Sequence, residues 1–268
     1  MIMKNFLLPL CLLLGAGAQA QKKEGTVVYE RTMQVRRPAN MDPELAARIP
    51  AARTDNFELL YANNRSLWRT LPKADGGNGD ITMQGAGGNV GVFRMGGGND
   101  ETFYNFEKGE RVEKRELFDN EFIVADSVRR LSWKITGESK TILGHNAQKA
   151  VAQRIGTRMA VSLEGGEMKR MPVADTSAIV AWFTTEIPTP VGPAEFQGQL
   201  PGLVLEVDVN NGRTVYKAVE ISQKVSAGQI REPKGKRYTQ AQYEAERDRL
   251  MDELRKNMPA GSQIRIQG

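Results

Sequence analysis

The stretch Leu203-Val204-Leu205-Glu206-Val207-Asp208-Val209-Asn210-Asn211-Gly212-Arg213-Thr214-Val215-Tyr216-Lys217-Ala218-Val219-Glu220-Ile221 decides the fold class. Two alternating, β-branched runs flank Asn211-Gly212, a pair suited to the positive φ angles of a type I′ hairpin turn. That turn pairs Asn210 with Arg213, Val207 with Tyr216, Glu206 with Lys217 and Leu205 with Ala218. Leu203, Leu205, Val207 and Val209 then share a core face with Tyr216 and Ala218. Glu206 and Lys217 meet on the other face, a cross-strand pair contributing ~0.2–1 kcal/mol. The chain is therefore expected to be mainly antiparallel β.

Upstream, Ala181-Trp182-Phe183-Thr184-Thr185-Glu186-Ile187-Pro188 reads as a preceding apolar strand. The crossing between the two is punctuated by Pro188, Pro190, Pro193 and Pro201, each of which fixes φ and removes a donor. Gly192, Gly198 and Gly202 free the backbone between them. Further strands are expected at Gly25 to Arg36, Glu101 to Phe106, Arg111 to Phe118, Glu121 to Ala125, Trp133 to Thr136, Thr141 to Leu143, Ala147 to Ile155 and Met159 to Leu163. Phe57 to Tyr61 and Ser66 to Arg69 form a hairpin across Asn63-Asn64. Asp42 and Pro43 suit the start of a short N-terminal helix ending at Pro50.

Residues 74–100 are rich in Gly and Asn and are expected to be a mobile insertion. No Lys-Ser/Thr follows a Gly-x-x-x-x-Gly there, which argues against a phosphate cradle. A C-terminal helix is expected from Thr239, its N-cap, to Met258, with Tyr243, Leu250, Met251 and Leu254 as its apolar stripe. The last residues, from Pro259, are expected to fray. The expected layout is a signal peptide over 1–20, one β-rich domain over 21–238, and the helix and tail over 239–268.

Lys4, the apolar run Phe6 to Leu14 and Ala18-Gln19-Ala20 have the form of a cleaved export signal, with Gln21 as the mature N-terminus. Cys11, the only cysteine, lies inside that run after Leu10, unlike a lipoprotein signal. The mature chain is thus expected to hold no disulfide and no thiolate metal site. The net charge is +5 and the pI near 9.3. Basic residues are scattered, with small groups at Arg36-Arg37, Arg129-Arg130 and Lys234 to Arg237, read as a solvated surface. Nucleic acid is not expected as a partner.

An ordered set of motifs carries a resemblance. It comprises Trp133-Lys134-Ile135-Thr136, Lys140-Thr141-Ile142-Leu143-Gly144, Lys149-Ala150, Ala181 to Pro188, Gly192-Pro193 and Leu200-Pro201-Gly202-Leu203-Val204. This closely resembles the GLPGLI family (Porph_ging) of exported proteins of gram-negative bacteria. Gln199 stands where the family's name motif has Gly, Val204 where it has Ile, and Asn146 where many members carry Cys. The resemblance implies an envelope location and no assigned activity. Within it, Pro188, Gly192, Pro193, Leu200, Pro201, Gly202 and Leu203 are expected to be structural.

Catalytic signals are sparse. His145 is the sole histidine, and no Gly-x-Ser-x-Gly elbow is present. Met168 and Met171 with His145 would be soft ligands for copper(I). Glu116, Asp119, Glu121 and Asp126 cluster in sequence, but strand alternation is expected to scatter them over two faces. Trp133, Trp182 and Phe183 suit core packing or an apolar ligand pocket. The strand order is similar to an open half-barrel of the lipoprotein-carrier type, an analogy of fold only. The leading functional expectation is a non-enzymatic envelope protein recognising an apolar, lipid-like ligand or a protein partner, with no cofactor. A carboxylate-based hydrolase and a metal-responsive binder are the alternatives.

Overall fold

In a computed structural model, residues 23–35, 50–72, 80–84, 90–94, 100–118, 120–164, 167–257 and 263–266 are described. The strands are β1 (Gly25–Gln34), β2 (Ala52–Ala62), β3 (Arg65–Thr70), β4 (Asp80–Gln84), β5 (Val90–Arg94), β6 (Glu101–Asn105), β7 (Glu110–Leu117) and β8 (Asn120–Ser127). They continue with β9 (Lys134–Ile142), β10 (His145–Glu164), β11 (Glu167–Thr184), β12 (Leu203–Val209), β13 (Thr214–Ser222) and β14 (Arg237–Tyr238). Helix α1 (Gln240–Asn257) and β15 (Gln263–Ile266) follow.

Twelve strands form one open sheet in the order β14-β8-β7-β6-β3-β2-β1-β13-β12-β11-β10-β9. All neighbours are antiparallel except β14 and β8. The mainly β expectation therefore holds, with a single parallel edge pair added. The expected N-terminal helix at Asp42 and the signal segment lie outside the described residues. The Gly-rich insertion and the tail, expected to be mobile and frayed, contribute a three-stranded sheet, β15-β4-β5.

The hairpin at Asn211-Gly212 has the expected register, with Glu206 opposite Lys217 and Val207 opposite Tyr216. Asn211 and Gly212 take φ of 52° and 87°, and the Arg213 amide donates to the Asn210 carbonyl at 3.3 Å. Leu203, Leu205, Val207 and Val209 are buried as read. Glu206 makes its ion pair elsewhere: Lys140 Nζ on β9 lies 3.0 Å away, reaching over the Trp182 ring. Asn63 and Asn64, both at positive φ, turn the β2–β3 hairpin.

The separate short strands expected between Ala147 and Leu163 are one strand of 20 residues, paired along its length with the 18-residue β11. In the sequence the run is interrupted at Gly156-Thr157-Arg158, between Ile155 and Met159. Ile155 and Met171 stand exposed on the ribbon.

The main core fills one face of the sheet. Tyr29, Leu59, Ala181, Phe183, Leu203 and Leu205 rise from the strands. The Pro/Gly crossing from 185 to 202 folds back over them and inserts Ile187, Val191, Phe196 and Leu200. The crossing is pinned by amide donation from Leu203 to Ile187 O at 3.0 Å and from Val204 to Val191 O at 2.9 Å. The Tyr29 hydroxyl donates to Val204 O at 2.5 Å, and burial pushes this phenol well above its ordinary pKa. The opposite face carries a second cluster of Leu60, Leu67, Phe103, Val112 and Ile123, capped by Ile230.

Helix α1 begins where expected. Thr239 Oγ1 accepts from the Gln242 amide at 3.2 Å, while Gln242 Oε1 accepts from the Thr239 amide at 2.9 Å, a reciprocal capping box. Its buried residue Tyr243 packs against Phe122, with ring centroids 5.4 Å apart, next to Leu117 and Val124.

Candidate functional site

Strand alternation sets the site. On β7, Val112 enters the second cluster, so Arg111, Glu113 and Arg115 project from the opposite face. That face also carries Trp68 of β3, opposite Thr102, and Tyr104 of β6, opposite Arg111. Strand β7 lies eight inter-strand steps from β10, about 38 Å in a flat sheet. Yet Arg111, Glu113 and Arg115 share one cleft of about 680 Å³ with Gln153, Arg154 and Ile155 of β10. The sheet must therefore curl, and the cleft occupies the inside of the curl. Arg129 to Leu131, the crossing residues Ala194 to Phe196, Gln199 and the first helical residue, Gln240, complete its wall.

An aromatic layer lies beneath the cleft. Phe57 stacks on Trp68 at 4.8 Å, Trp68 meets Tyr216 at 6.3 Å, Tyr216 meets Phe196 at 6.3 Å, and Phe196 meets Trp133 at 6.5 Å. Tyr104 donates to Ala194 O at 3.1 Å, tying the crossing to β6. Burial pushes the Tyr104 and Tyr216 phenols above their ordinary range. Beneath the crossing, Ser66 Oγ donates to the fully buried Gln197 Oε1 at 2.6 Å.

The rim is ionic. Glu113 bridges Arg111 and Arg115, with Arg111 Nε 2.9 Å from Glu113 Oε1. Asp126 lies 3.2 Å from Arg129, and Glu195 Oε1 accepts from Arg154 at 2.8 Å, linking the crossing to β10. Arg115 also sits over the Tyr243 ring at 4.7 Å. Two buried polar atoms of lining residues have no hydrogen-bond partner: Arg111 Nε, not aligned with its near neighbour, and Gln240 Oε1.

Trp133 and Trp182 pack, half-buried, against the core cluster that holds Phe183, and none of the three lines the cleft. Phe183 is fully buried in the main core. Trp182 lies on the opposite face, with Lys140 and Lys149 over its ring at 4.3 and 5.9 Å. Trp133 packs beside the crossing, and both its indole N–H and the Leu131 amide donate to Gln199 Oε1 at 3.0 Å. Gln199 Nε2 donates to Glu195 O at 2.7 Å. Gln199 thus cross-links the crossing to the segment before β9.

The residues expected to be structural lie in and around the crossing. Leu200 and Leu203 are buried in the main core. Gly192 and Gly202 sit where a Cβ would fall 2.8 Å from Val204 Cβ and 2.0 Å from Thr184 O. Pro188 and Pro193 flank the 3-10 turn and its approach, and Pro201 precedes β12.

His145 and the methionines are separated. His145 opens β10, whereas Met171 pairs with Ala160 and Met168 with Leu163 farther along the ribbon. Fifteen residues of strand span about 50 Å, so these three side chains form no copper site. His145 Nδ1 instead lies 2.7 Å from Glu186 Oε2, beside a smaller pocket lined by Tyr61, Leu143, Ile187 and Ile221. Burial pushes the Tyr61 phenol up to about 12. The acidic residues divide over two faces, as expected: Glu116 and Glu121 are direct cross-strand partners on one, whereas Asp126 lies opposite Arg111 on the other. Asp119 lies outside the described residues. Among the described residues, no group of three His, Cys, Asp or Glu side chains is placed to hold a metal. No helix among them is long and apolar enough to cross a membrane.

In the sequence Arg129-Arg130 is indistinguishable from a solvated surface pair, and only the fold places it at the cleft. The available signal was Arg111-x-Glu113-x-Arg115, a period-2 charged face on a strand whose other face carries Val112.

Residues 133–206 match the family model described as a protein of unknown function (Porph_ging), in agreement with the motif resemblance. No curated protein matches the chain. A solved structure of PNGF-II in a C2 lattice is similar over 84% of this chain, with a TM-score of 0.51 and 16% identity. Another, in a P21 lattice, covers 83% of this chain with a TM-score of 0.49 and 16% identity. In both, the match spans 32% of the PNGF-II chain. At this identity the likeness concerns the fold alone.

Proposed function

We propose that this chain is an exported cell-envelope binding or accessory protein that holds a partly apolar ligand in the cleft between β7, β10 and the Pro/Gly crossing. The supporting observation is that residues from distant strands converge on a single cleft of about 680 Å³, the size of small-molecule sites. Its lining sets Trp68, Val128, Leu131, Ala194, Ile155 and Phe196 among many polar and charged groups, five of them arginines. The export signal read at residues 1–20 supports the envelope location. The analogy with lipoprotein-carrier half-barrels agrees with a curled sheet enclosing its ligand.

The test uses processed protein purified from the periplasm of a gram-negative host. The expected result is a small molecule released on denaturation, whose re-addition slows amide exchange in β7 and in 194–199. A ligand-free protein whose exchange in those segments is unchanged by periplasmic extract refutes the proposal.

A carboxylate-based hydrolase is the second reading, because Glu113 and Glu195 line the same cleft. Their arginine partners weigh against it, since a general acid of that kind relies on an apolar surrounding.

A further inference from the structure

Resting on the reading of the cleft as a ligand site, the charge of its lining narrows the ligand class. Arg111, Arg115, Arg129, Arg130 and Arg154 all line the cleft. The carboxylates paired with them are Glu113, Asp126 and Glu195. Five guanidinium groups against three carboxylates leave a surplus of two positive charges. Glu113 is shared between Arg111 and Arg115, so neither guanidinium has a carboxylate to itself. Arg130 has no carboxylate partner among the described residues.

A second, independent observation concerns hydrogen bonding. Arg111 Nε is buried in the lining, 2.9 Å from Glu113 Oε1 but not aligned to donate to it. The ion pair leaves this N–H without a well-aligned acceptor, and an incoming oxyanion could supply one. Guanidinium groups suit carboxylate, phosphate and sulfate because their planar forks present paired donors to two oxygens. Val128, Leu131, Ala194 and Ile155 lie beside these forks, and Ile155 is 79% exposed. An apolar body attached to the anion would cover them.

We infer that the cleft takes an amphiphilic oxyanion, with its charged group held among Arg111, Arg130 and Arg154 and its apolar part against Leu131 and Ile155. Arg154 would then exchange its pairing with Glu195 for the ligand, loosening the link between β10 and the crossing. Soluble molecules and lipid headgroups both supply such a group.

The experiment is calorimetric titration of the processed protein with 1-naphthyl phosphate and, separately, with the neutral 1-naphthalenemethanol. Arg130→Gln and Arg154→Gln, both at exposed positions, serve as variants, and a wild-type circular dichroism spectrum checks their fold. The expected result is tighter binding of the phosphate than of the alcohol by about tenfold or more, weakened about tenfold in each variant. Equal binding of the two probes overturns the anionic assignment and leaves the cleft as a ligand site. Binding of neither overturns the cleft reading as well. Sedimentation with phosphatidylcholine vesicles, with and without phosphatidylglycerol, separates the sources. Capture by the anionic vesicles alone, lost in Arg130→Gln, assigns a headgroup; naphthyl phosphate binding without capture assigns a soluble ligand.

Discussion

Replacing Gly202 with alanine tests the close approach on which the crossing depends. A Cβ at this position falls 2.0 Å from Thr184 O, 2.8 Å from Thr184 C and 3.2 Å from Thr185 Cα. All three are backbone atoms, so no flexible side chain can move aside. Restoring an ordinary 3.4 Å contact requires the end of β11 and the start of β12 to separate by more than 1 Å. That displacement strains the pairing of Thr184 with Leu203 and the amide bond from Leu203 to Ile187 O. Overpacking costs about 1–3 kcal/mol and a weakened buried hydrogen bond about 1 kcal/mol, so a loss of about 2–4 kcal/mol is expected. Urea unfolding at neutral pH, followed by tryptophan fluorescence, reads this as a lower midpoint at unchanged slope. Gly156→Ala is the control, because its nearest neighbour would be Asp175 O at 4.0 Å and its φ is not positive. The control should stay within about 0.5 kcal/mol of the wild type. If Gly202→Ala is as stable as the wild type, or if both alanine variants lose equally, the close-approach argument is wrong.

Asp55 is buried between Arg31 at 2.9 Å and Arg53 at 3.0 Å. Burial raises its pKa, but hydrogen bonds and charge attraction from the two arginines outweigh burial and hold it below the ordinary carboxylate range. A carboxyl depressed on folding stabilises the protein above its unfolded pKa, roughly 4, and loses that contribution as pH falls through the folded value. Asp55→Asn should therefore cost about 2 kcal/mol at neutral pH, with the gap to wild type closing at acid pH in paired urea titrations. Thr239→Ala removes the helix cap and should cost about 1 kcal/mol, visible as faster amide exchange in the first turn of α1. Gln199→Gly deletes the acceptor shared by Leu131 and Trp133. It should red-shift tryptophan emission as Trp133 gains water, and an unchanged spectrum would contradict the linking role.

Much of the β architecture was legible because it is local. Asn211-Gly212 and Asn63-Asn64 fix two hairpins through the backbone angles they tolerate, and period-2 alternation identifies the buried partners in each. The β10–β11 ribbon is less legible as one piece, because Gly156-Thr157-Arg158 interrupts the apolar run of β10 and Pro172 that of β11. Alternation also divides two of the aromatic candidates between the faces of β11. Trp182 and Phe183 are adjacent, and successive side chains on a strand point to opposite faces, although a bulge falls between them in the pairing with β12.

The sequence by itself determined the mainly antiparallel class, the register of the Asn211-Gly212 hairpin, the capped C-terminal helix and the motif order shared with the Porph_ging family model. These follow from φ preferences, side-chain period and capping chemistry, which act over a few residues. Only the tertiary structure decided that β7 and β10 face one cleft, that Gln199 ties its wall together and that five arginines gather around it. That outcome depends on how far twelve strands curl, and curl accumulates from small twists across the whole sheet rather than from any single stretch of residues.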